Sequence, residues 1–316
     1  MTDRSLAVLL PRDLPAGRVR EFVLRAEELG FDELWVVEDC FFRGGVAQAA
    51  AVLAWTERIR VGIGILPAAV RDAAFTAMEA ATLAELFPGR VDVGIGHGMP
   101  MWMRQVGRWP SSPLTMLEEH LTAVRAIVHG ERVDVDGRYV HLDAVQLEAP
   151  PAHPPRILAG VRGPKSLAVS GRVADGTVLA EPVTPEYLRQ ALEHVAPTRE
   201  HRVVAYCVAA VDDDADAARR LARPALAWVG EPDWVPHIAP LPYADEFAAL
   251  RATVGSPDEF AEVLPDAWVD DLAIVGPPAA ARARLDALFD AGLSSAVLFP
   301  IGPDPVAALD SLARLR

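Results

Sequence analysis

Cysteine is scarce in this sequence of 316 residues, and the two that occur, Cys40 and Cys207, belong to no recognisable disulfide or metal-binding pattern. Such usage is typical of proteins in a reducing compartment. The sequence also lacks a basic-then-apolar amino-terminal signal. No apolar run reaches the roughly 18 residues that a membrane-spanning helix needs. These absences predict a cytoplasmic protein that does not enter a membrane.

Positive charge is also in short supply, because 30 basic residues face 44 acidic ones and leave a formal net charge of −14. A nucleic acid or an anionic membrane surface binds to a basic face, so this balance argues against both as partners. Hydrophobic residues make up 51% of the chain, which is enough for a large core. The composition therefore predicts a globular protein with no nucleic-acid or membrane partner.

Several common catalytic spacings are missing as well. The sequence contains no CxxC or HxxxH pair, and His97, His120 and His129 are too scattered for a zinc site. We therefore expect no metal. A GxSxG turn is absent, which argues against a hydrolase of that type.

Apolar segments of strand length alternate with segments of helical periodicity along the chain. Each predicted strand is apolar on both faces, which is typical of buried parallel strands. The predicted strands are residues 6–10, 34–37, 61–66, 91–95, 157–159, 176–180, 203–210 and 296–300. Eight such units predict a TIM (β/α)8 barrel as a single domain over residues 1–316. An open, doubly wound sheet is the alternative.

Two stretches interrupt this repeat. Residues 133–147, after the fourth strand, predict a small hairpin with Asp136 and Gly137 at its turn. Residues 228–269, before the last strand, are rich in proline and tryptophan and show no regular periodicity. An insertion of that length usually carries function or packs as a lid. Residues 272–275 are predicted as a short extra segment.

The carboxyl ends of the strands are where a barrel of this type carries its active site. The second strand ends in Glu38, Asp39 and Cys40, and the sixth ends at Glu181. Because Glu38 and Asp39 are neighbours, both cannot point the same way from a strand. A carboxyl group against apolar walls acquires a raised pKa and can move protons. The alternative is a solvated acidic pair in a loop.

The segment GVRGPKS, residues 160–166, leaves the fifth strand and opens a helix. Backbone N–H groups and the helix dipole favour an anion at such a point. Basic side chains, a serine hydroxyl and a proline suited to the first helical turn reinforce the pattern. We therefore predict a phosphate site, with an ordinary turn as the alternative. Its residues are Gly160, Arg162, Gly163, Pro164, Lys165 and Ser166.

Three glycines alternate at the end of the fourth strand, at positions 94, 96 and 98, and His97 lies between two of them. Glycine weakens a strand, so the pattern indicates that another backbone or a flat ligand approaches closely. A buried strand with a tight turn is the alternative. The next residues include Met99, Trp102 and Met103, which are suited to lining an apolar pocket.

Five segments of the chain are similar to a known family, and they read GFDELWVVEDCF, VGIGILP, PGRVDVGIGHG, GVRGPKSLAVSGRVADG and AGLSSAVLFP. Together, and in this order, they resemble the bacterial luciferase-like flavin and deazaflavin oxidoreductases. The resemblance implies a TIM barrel with an insertion after the fourth strand and a flavin or deazaflavin ring at the barrel mouth. It also implies a non-prolyl cis peptide behind the ring, which is Gly64–Ile65 here.

Within this family, the chain most resembles the branch that uses the deazaflavin coenzyme F420, which includes the methylenetetrahydromethanopterin reductases. Glu38 stands where that branch often has an Asp that contacts the coenzyme. Asp39 stands where luciferase and the sugar-phosphate dehydrogenases of the family have a catalytic His. Met99 stands where those dehydrogenases have a Glu, so a sugar phosphate is not predicted as the substrate.

The resemblance therefore implies hydride transfer between F420 and a small, largely apolar organic substrate, with Asp39 and His97 as the catalytic residues. The implied coenzyme contacts are Glu38, Gly64, Ile65, Gly96, His97, Gly160, Arg162, Gly163, Pro164, Lys165 and Ser166. The implied substrate pocket comprises Cys40, Met99, Trp102, Met103 and Glu181. It also implies a homodimer formed through helices beside the early strands.

Two alternatives to this function come from the same resemblance. One is an FMN-dependent monooxygenase that receives reduced flavin from a separate reductase. The other is a non-catalytic flavin-binding relative, an idea that the Asp at position 39 favours slightly.

Overall fold

Eight parallel strands close into a barrel in the computed structural model, which describes residues 4–316. In chain order the strands are β1 (Ser5–Leu9), β2 (Glu33–Val36), β3 (Arg60–Pro67), β4 (Val91–Gly96), β5 (Val133–Asp136), β6 (His141–Val145), β7 (Arg156–Gly160), β8 (Gly176–Leu179), β9 (Arg202–Val211), β10 (Ile274–Gly276) and β11 (Ser295–Pro300). The ring runs β1-β2-β3-β4-β7-β8-β9-β11, and β11 pairs with β1. The predicted TIM barrel is confirmed, and the open sheet is excluded.

The remaining strands lie outside the ring. Strands β5 and β6 pair antiparallel as the predicted hairpin after β4. Strand β10 pairs parallel with the end of β9, from Ile274 opposite Ala209 to Gly276 opposite Val211. It therefore extends the sheet at the rim without entering the closed ring.

Helices surround the barrel and return the chain between parallel strands. They are α1 (Ala16–Glu28), α2 (Gly45–Trp55), α3 (Ala73–Leu86), α4 (Pro100–Gln105), α5 (Pro113–Val128), α6 (Pro164–Val173), α7 (Pro185–Val195), α8 (Ala215–Ala222), α9 (Val235–Ile238), α10 (Ala244–Arg251), α11 (Pro257–Val263), α12 (Asp266–Leu272), α13 (Pro278–Asp290) and α14 (Pro305–Leu312). In the part of the chain from residue 4 onwards, none of them has the length and apolar character needed to cross a membrane.

The barrel interior is filled from its amino-terminal end. Glu33 is 1% exposed and accepts hydrogen bonds from Trp35 Nε1 at 2.9 Å, Ser295 Oγ at 3.0 Å and the Arg202 guanidinium. Asp92 is 3% exposed and lies 3.5 Å from Nε of Arg202. An apolar layer lies above these charges, formed by Ala7, Trp35, Leu158, Val178, Val204 and Val297. Side chains therefore fill the lower barrel, and the cavity space is at the carboxyl ends.

The glycines at the end of β4 make room for neighbouring backbone. A Cβ atom on Gly94 would lie 2.6 Å from the backbone oxygen of Ile63, and one on Gly96 would lie 2.8 Å from that of Gly160. Close approach of another backbone, one of the explanations that the sequence left open for this pattern, is observed at these two positions. A side chain at either position would push adjacent strands apart.

The stretch between α8 and β10 forms one covering element, the rim insertion (residues 223–272). It consists of short helical segments, including 3₁₀ turns at Arg223–Gly230 and Pro232–Trp234, whereas the sequence predicted irregular structure over residues 228–269. Its helical segments are at most eight residues long and several begin at or next to a proline, so no long helical period marks them in the sequence. It packs its own apolar cluster, which includes Phe247 and Phe260, against the ends of β9 and β10.

Candidate functional site at the barrel rim

A cavity of about 780 Å³ opens at the carboxyl ends of the barrel strands. All eight strands of the ring contribute to its wall, from within the strand or from the residue directly after it. In ring order the contributing residues are Leu9, Val37, Gly64, His97, Gly160, Val178, Tyr206 and Phe299. The volume is within the usual range of small-molecule sites.

Glu38 and Asp39 both line this cavity, but different arginines hold them. Glu38 forms a bidentate ion pair with Arg71, with Oε2 2.7 Å from Nη2, and accepts a hydrogen bond from the Gly45 backbone N–H at 2.7 Å. Asp39 Oδ2 lies 2.6 Å from Nη1 of Arg12. The neighbouring acids therefore contact different partners, and each carboxylate has a positive charge against it.

His97 joins the end of β4 to the start of α6. Its Nε2 lies 3.4 Å from the hydroxyl of Ser166, and its ring also donates a hydrogen bond to the backbone carbonyl of Pro113. Burial lowers the pKa of His97 below its ordinary value, so the ring is neutral at pH 7. In this state it positions the first turn of α6 by hydrogen bonding without adding charge.

Strand β3 carries a bulge beside the cavity, where its register with β4 shifts between Ile63 and Leu66. The Gly64–Ile65 peptide bond in this bulge is cis, as the family resemblance predicted. Tyr206 donates a hydrogen bond from its hydroxyl to the Gly64 carbonyl at 2.8 Å. A Cβ atom at position 64 would lie only 2.0 Å from that hydroxyl oxygen. The bulge therefore requires glycine here.

Tyr206 was not singled out from the sequence. The available signal was a lone phenol in the otherwise apolar strand 203–210. Burial raises the pKa of its hydroxyl well above the ordinary value, so it stays a hydrogen-bond donor at any working pH. Its ring also packs edge-on against Trp35, with the centroids 6.2 Å apart.

The start of α6 has the features of an anion site. Gly163 is the N-cap residue, and no side chain caps the helix there. A Cβ atom at Gly163 would find nothing within 4 Å, and both Gly163 and Ser166 line the cavity. Uncapped N–H groups at a helix start are available to a ligand. A phosphate-bearing coenzyme therefore fits the residues present.

The rim insertion covers the cavity beside β7 and β8. Trp234 Nε1 donates a hydrogen bond to the backbone carbonyl of Glu181 at 2.9 Å. Arg162 donates from Nη1 to the Asp233 carbonyl at 3.2 Å, and its guanidinium lies 5.0 Å from the centre of a Trp234 ring. The backbone carbonyl of Arg162 accepts a hydrogen bond from Tyr187. The contacts of Asp233 and Trp234 attach the insertion to the strand ends that form the site.

Glu181 lines the cavity beneath this cover. Burial raises the pKa of its carboxyl group from 4.5 to about 7, against smaller opposing effects of its own backbone N–H and of Arg162. The group is therefore close to half protonated at neutral pH. A carboxyl group in this state at a rim cavity marks a candidate functional residue.

The structure brings most of the residues expected in the site to the cavity wall. These are Glu38, Asp39, Gly64, Ile65, His97, Met99, Trp102, Gly160, Arg162, Gly163, Ser166 and Glu181. The expected residues that do not line it are Cys40, Gly96, Met103, Pro164 and Lys165. Within residues 4–316, no group of three or more His, Cys, Asp or Glu side chains is placed to hold a metal ion.

Met103 does not line the cavity, although the sequence predicted it in the substrate pocket with Met99 and Trp102. Because Pro100–Gln105 forms helix α4, its side chains spread around the helix axis. Met103 is completely buried behind the wall, Met101 is exposed to solvent, and Met99 and Trp102 line the cavity. The sequence analysis assigned no helix to residues 100–105 and so did not separate these directions.

A closed (β/α)8 barrel with a small-molecule cavity at its carboxyl rim defines a TIM-barrel protein of the ligand-binding or enzymatic kind. The sequence pattern described as luciferase-like monooxygenase matches residues 5–295, and the chain belongs to this family. The chain is 29% identical to the 5,10-methylenetetrahydromethanopterin reductase of Methanolobus tindarius over 325 aligned positions, which cover 96% of this chain and 97% of that protein.

Two solved structures share the fold. A coenzyme F420-dependent tetrahydromethanopterin reductase from Methanopyrus kandleri superposes with a TM-score of 0.79 at 21% identity, over 98% of this chain and 97% of that one. An F420-dependent secondary alcohol dehydrogenase in complex with an F420–acetone adduct superposes with a TM-score of 0.78 at 22% identity, over 99% of this chain and 98% of that one. At these identities the two structures establish the fold alone.

Proposed function

We propose that this protein is an F420-dependent oxidoreductase that transfers a hydride between the deazaflavin and a small organic substrate. The observation that carries the proposal is the rim cavity, which has the β3 bulge on one side and the uncapped start of α6 on another. The nearly full-length similarity to a methylenetetrahydromethanopterin reductase, together with the fold shared with two F420-dependent enzymes, favours F420 over other tricyclic coenzymes. A fold shared with many activities would not be sufficient by itself.

We assign the ring and the phosphate of such a coenzyme to particular residues of the rim cavity. Gly64 and Ile65 would lie behind the ring, and the start of α6 at Gly163 and Ser166 would bind its phosphate. Lys165 is the one lysine of the chain and lies exposed in the first turn of that helix, where it strengthens the attraction for an anion. When bound, the deazaflavin supplies the hydride chemistry.

The chain itself would orient the substrate and exclude water. Asp39, held by Arg12, and His97, held by Ser166, line the cavity and would position the polar group of the substrate. Met99 and Trp102 would contact its apolar part. The rim insertion covers this side of the barrel, which reduces the access of water to the reacting atoms.

Binding of the two candidate coenzymes tests this function directly. We expect F420 to bind the purified protein in a fluorescence titration and FMN to bind at least tenfold more weakly. Tight FMN binding with no measurable F420 binding would overturn the proposal. It would instead support the flavin-dependent monooxygenase that the family description suggests, and the next experiment would be to add a flavin reductase.

We further propose that the protein works as a homodimer in the cytoplasm. Helix α3 presents an exposed apolar stripe formed by Phe75, Met78 and Leu86, in which Phe75 and Leu86 are each 65% exposed. Spacings of three and eight residues place these side chains on one face of the helix. Such a stripe on a surface helix is typical of a self-complementary interface. Both cysteines are free, which fits a reducing compartment.

A further inference from the structure

Glu181 differs from every other acidic residue around the cavity in the charges that surround it. Glu38 pairs with Arg71, and Asp39 pairs with Arg12. Asp13 and Asp233 also line the cavity but are exposed to solvent. Within residues 4–316, the carboxyl group of Glu181 forms no ion pair, and its hydrogen bond comes from the backbone N–H of its own residue. Among the acidic residues that line the cavity within residues 4–316, it is therefore the partly buried one that forms no ion pair.

We propose that Glu181 is the catalytic acid and base of this site, the group that exchanges a proton with the substrate when the hydride moves. This inference rests on the proposed function, because it assigns a role within that reaction. It is carried by the position of the unpaired carboxyl group inside the rim cavity, beneath the insertion. The ion-paired Asp39 and the hydrogen-bonded His97 are less suited to this role.

The groups that face Glu181 from neighbouring elements explain why it carries a proton near neutral pH. Arg162, after β7, and Arg12, after β1, favour the charged form, whereas Asp39, after β2, disfavours it. Tyr206 and Cys207, on β9, are buried and neutral, so they add no compensating charge. Arg162 also donates to the rim insertion, so its charge does not pair with Glu181. Desolvation is therefore the largest of these effects on the pKa of Glu181.

Atoms and electrons balance in both directions of the proposed reaction. In oxidation, a C–H bond of the substrate breaks and its hydride passes to the oxidised deazaflavin. The O–H or N–H bond on the adjacent atom breaks as well, and its proton goes to the Glu181 carboxylate. A carbon–oxygen or carbon–nitrogen double bond forms in the substrate. In reduction, reduced deazaflavin supplies the hydride to that carbon, and the Glu181 carboxylic acid protonates the oxygen or nitrogen. A group that titrates near the working pH serves both directions.

The protonation of Glu181 can be measured without any substrate. Infrared difference spectra of the coenzyme-free protein between pH 5 and pH 9 should contain the C=O band of a protonated carboxyl group that disappears around pH 7. The Glu181→Gln variant, which has nearly the same shape but no titrating group, should lack that band. The Asp39→Asn variant is the control and should retain the band, with its midpoint at lower pH because the Asp39 charge no longer raises the pKa of Glu181. A spectrum in which Glu181→Gln changes nothing overturns the inference.

The pH dependence of stability gives a second measurement. The folded-state pKa of Glu181 lies above that of the unfolded chain, so the folded state binds more protons between pH 4.5 and about 7. The stability of the wild-type protein should therefore fall as the pH rises through this window and level off above it. Glu181→Gln should lack this contribution, so its stability relative to the wild-type protein should increase over the same window. A constant difference between the two proteins would contradict the inference.

Activity then tests the catalytic role. Reduced F420 is offered with a panel of small ketones, enones and imines, and hydride transfer is followed as the return of the oxidised-coenzyme absorbance. Glu181→Gln should lower kcat by roughly 10²- to 10⁴-fold and remove the pH step, with F420 affinity unchanged within about threefold. Normal turnover by Glu181→Gln would refute the catalytic role of Glu181 and would leave the proposed function standing. Failure of the wild-type protein to bind F420 would overturn the proposed function instead.

Discussion

An aspartate in place of Gly163 should stabilise the fold and weaken coenzyme binding at the same time. Gly163 has φ −90° and ψ 156°, an extended conformation that any residue adopts, and its Cβ direction is free of neighbours. The Gly163→Asp side chain would cap α6 and place a negative charge at the positive end of the helix dipole. Capping, the dipole and the lost freedom of glycine together add about 0.5–1.5 kcal/mol to the free energy of unfolding.

The same carboxylate would occupy the space that we assign to the coenzyme phosphate. Two unit charges about 4 Å apart repel by about 1 kcal/mol in water and by about 4 kcal/mol at an effective dielectric constant of 20. The cavity rim lies between these limits. F420 affinity should therefore fall by roughly 5-fold to 800-fold, with the larger loss at low salt because screening is weaker there.

Gly163→Asn is the control, because it has the same size and capping ability but no charge. We expect it to stabilise the protein and to keep F420 affinity within about threefold of the wild-type value. Chemical denaturation measures the stability of each variant, and fluorescence titration measures coenzyme binding. Equal F420 affinity in the Asp and Asn variants would refute an anion site at the start of α6.

Three further outcomes follow from other parts of the molecule. Asp92→Ala should lower the free energy of unfolding by about 3–5 kcal/mol, because it removes the buried carboxylate that Arg60, Arg156 and Arg202 share. Asp290→Ala, which breaks a solvent-exposed pair, should cost at most about 1 kcal/mol; equal losses in urea denaturation would contradict the buried network. Tyr206→Phe should cost about 1–3 kcal/mol by leaving the buried bulge carbonyl unpaired, and unchanged stability would show that this bond is dispensable. Phe75→Glu should produce a monomer in light scattering. The control Val263→Glu changes an apolar residue of α11 that is 44% exposed, and it should remain a dimer. A dimer in both variants would place the interface elsewhere.

The sequence alone was sufficient to predict the barrel, because buried parallel strands and their return helices leave local patterns. Apolar runs marked all eight strands of the ring, and Asp136–Gly137 marked the hairpin after β4. The segment GVRGPKS marked the uncapped start of α6. Family similarity further located the cis peptide at Gly64–Ile65. Each of these signals lies within a few consecutive residues, where periodicity and turn chemistry operate.

The charge states at the rim were decided by tertiary structure. Glu38 meets Arg71 from 33 positions away, and Tyr206 meets Gly64 across 142 positions. Glu38 and Arg71 meet because β2 and β3 pair side by side, and Tyr206 reaches Gly64 because ring closure places β9 across the barrel from β3. The sequence placed Glu38, Asp39 and Glu181 at strand ends, but two of these carboxylates received an arginine and the third was covered by the rim insertion. Burial and the presence of a partner set the pKa of a carboxyl group, and both are properties of the assembled barrel.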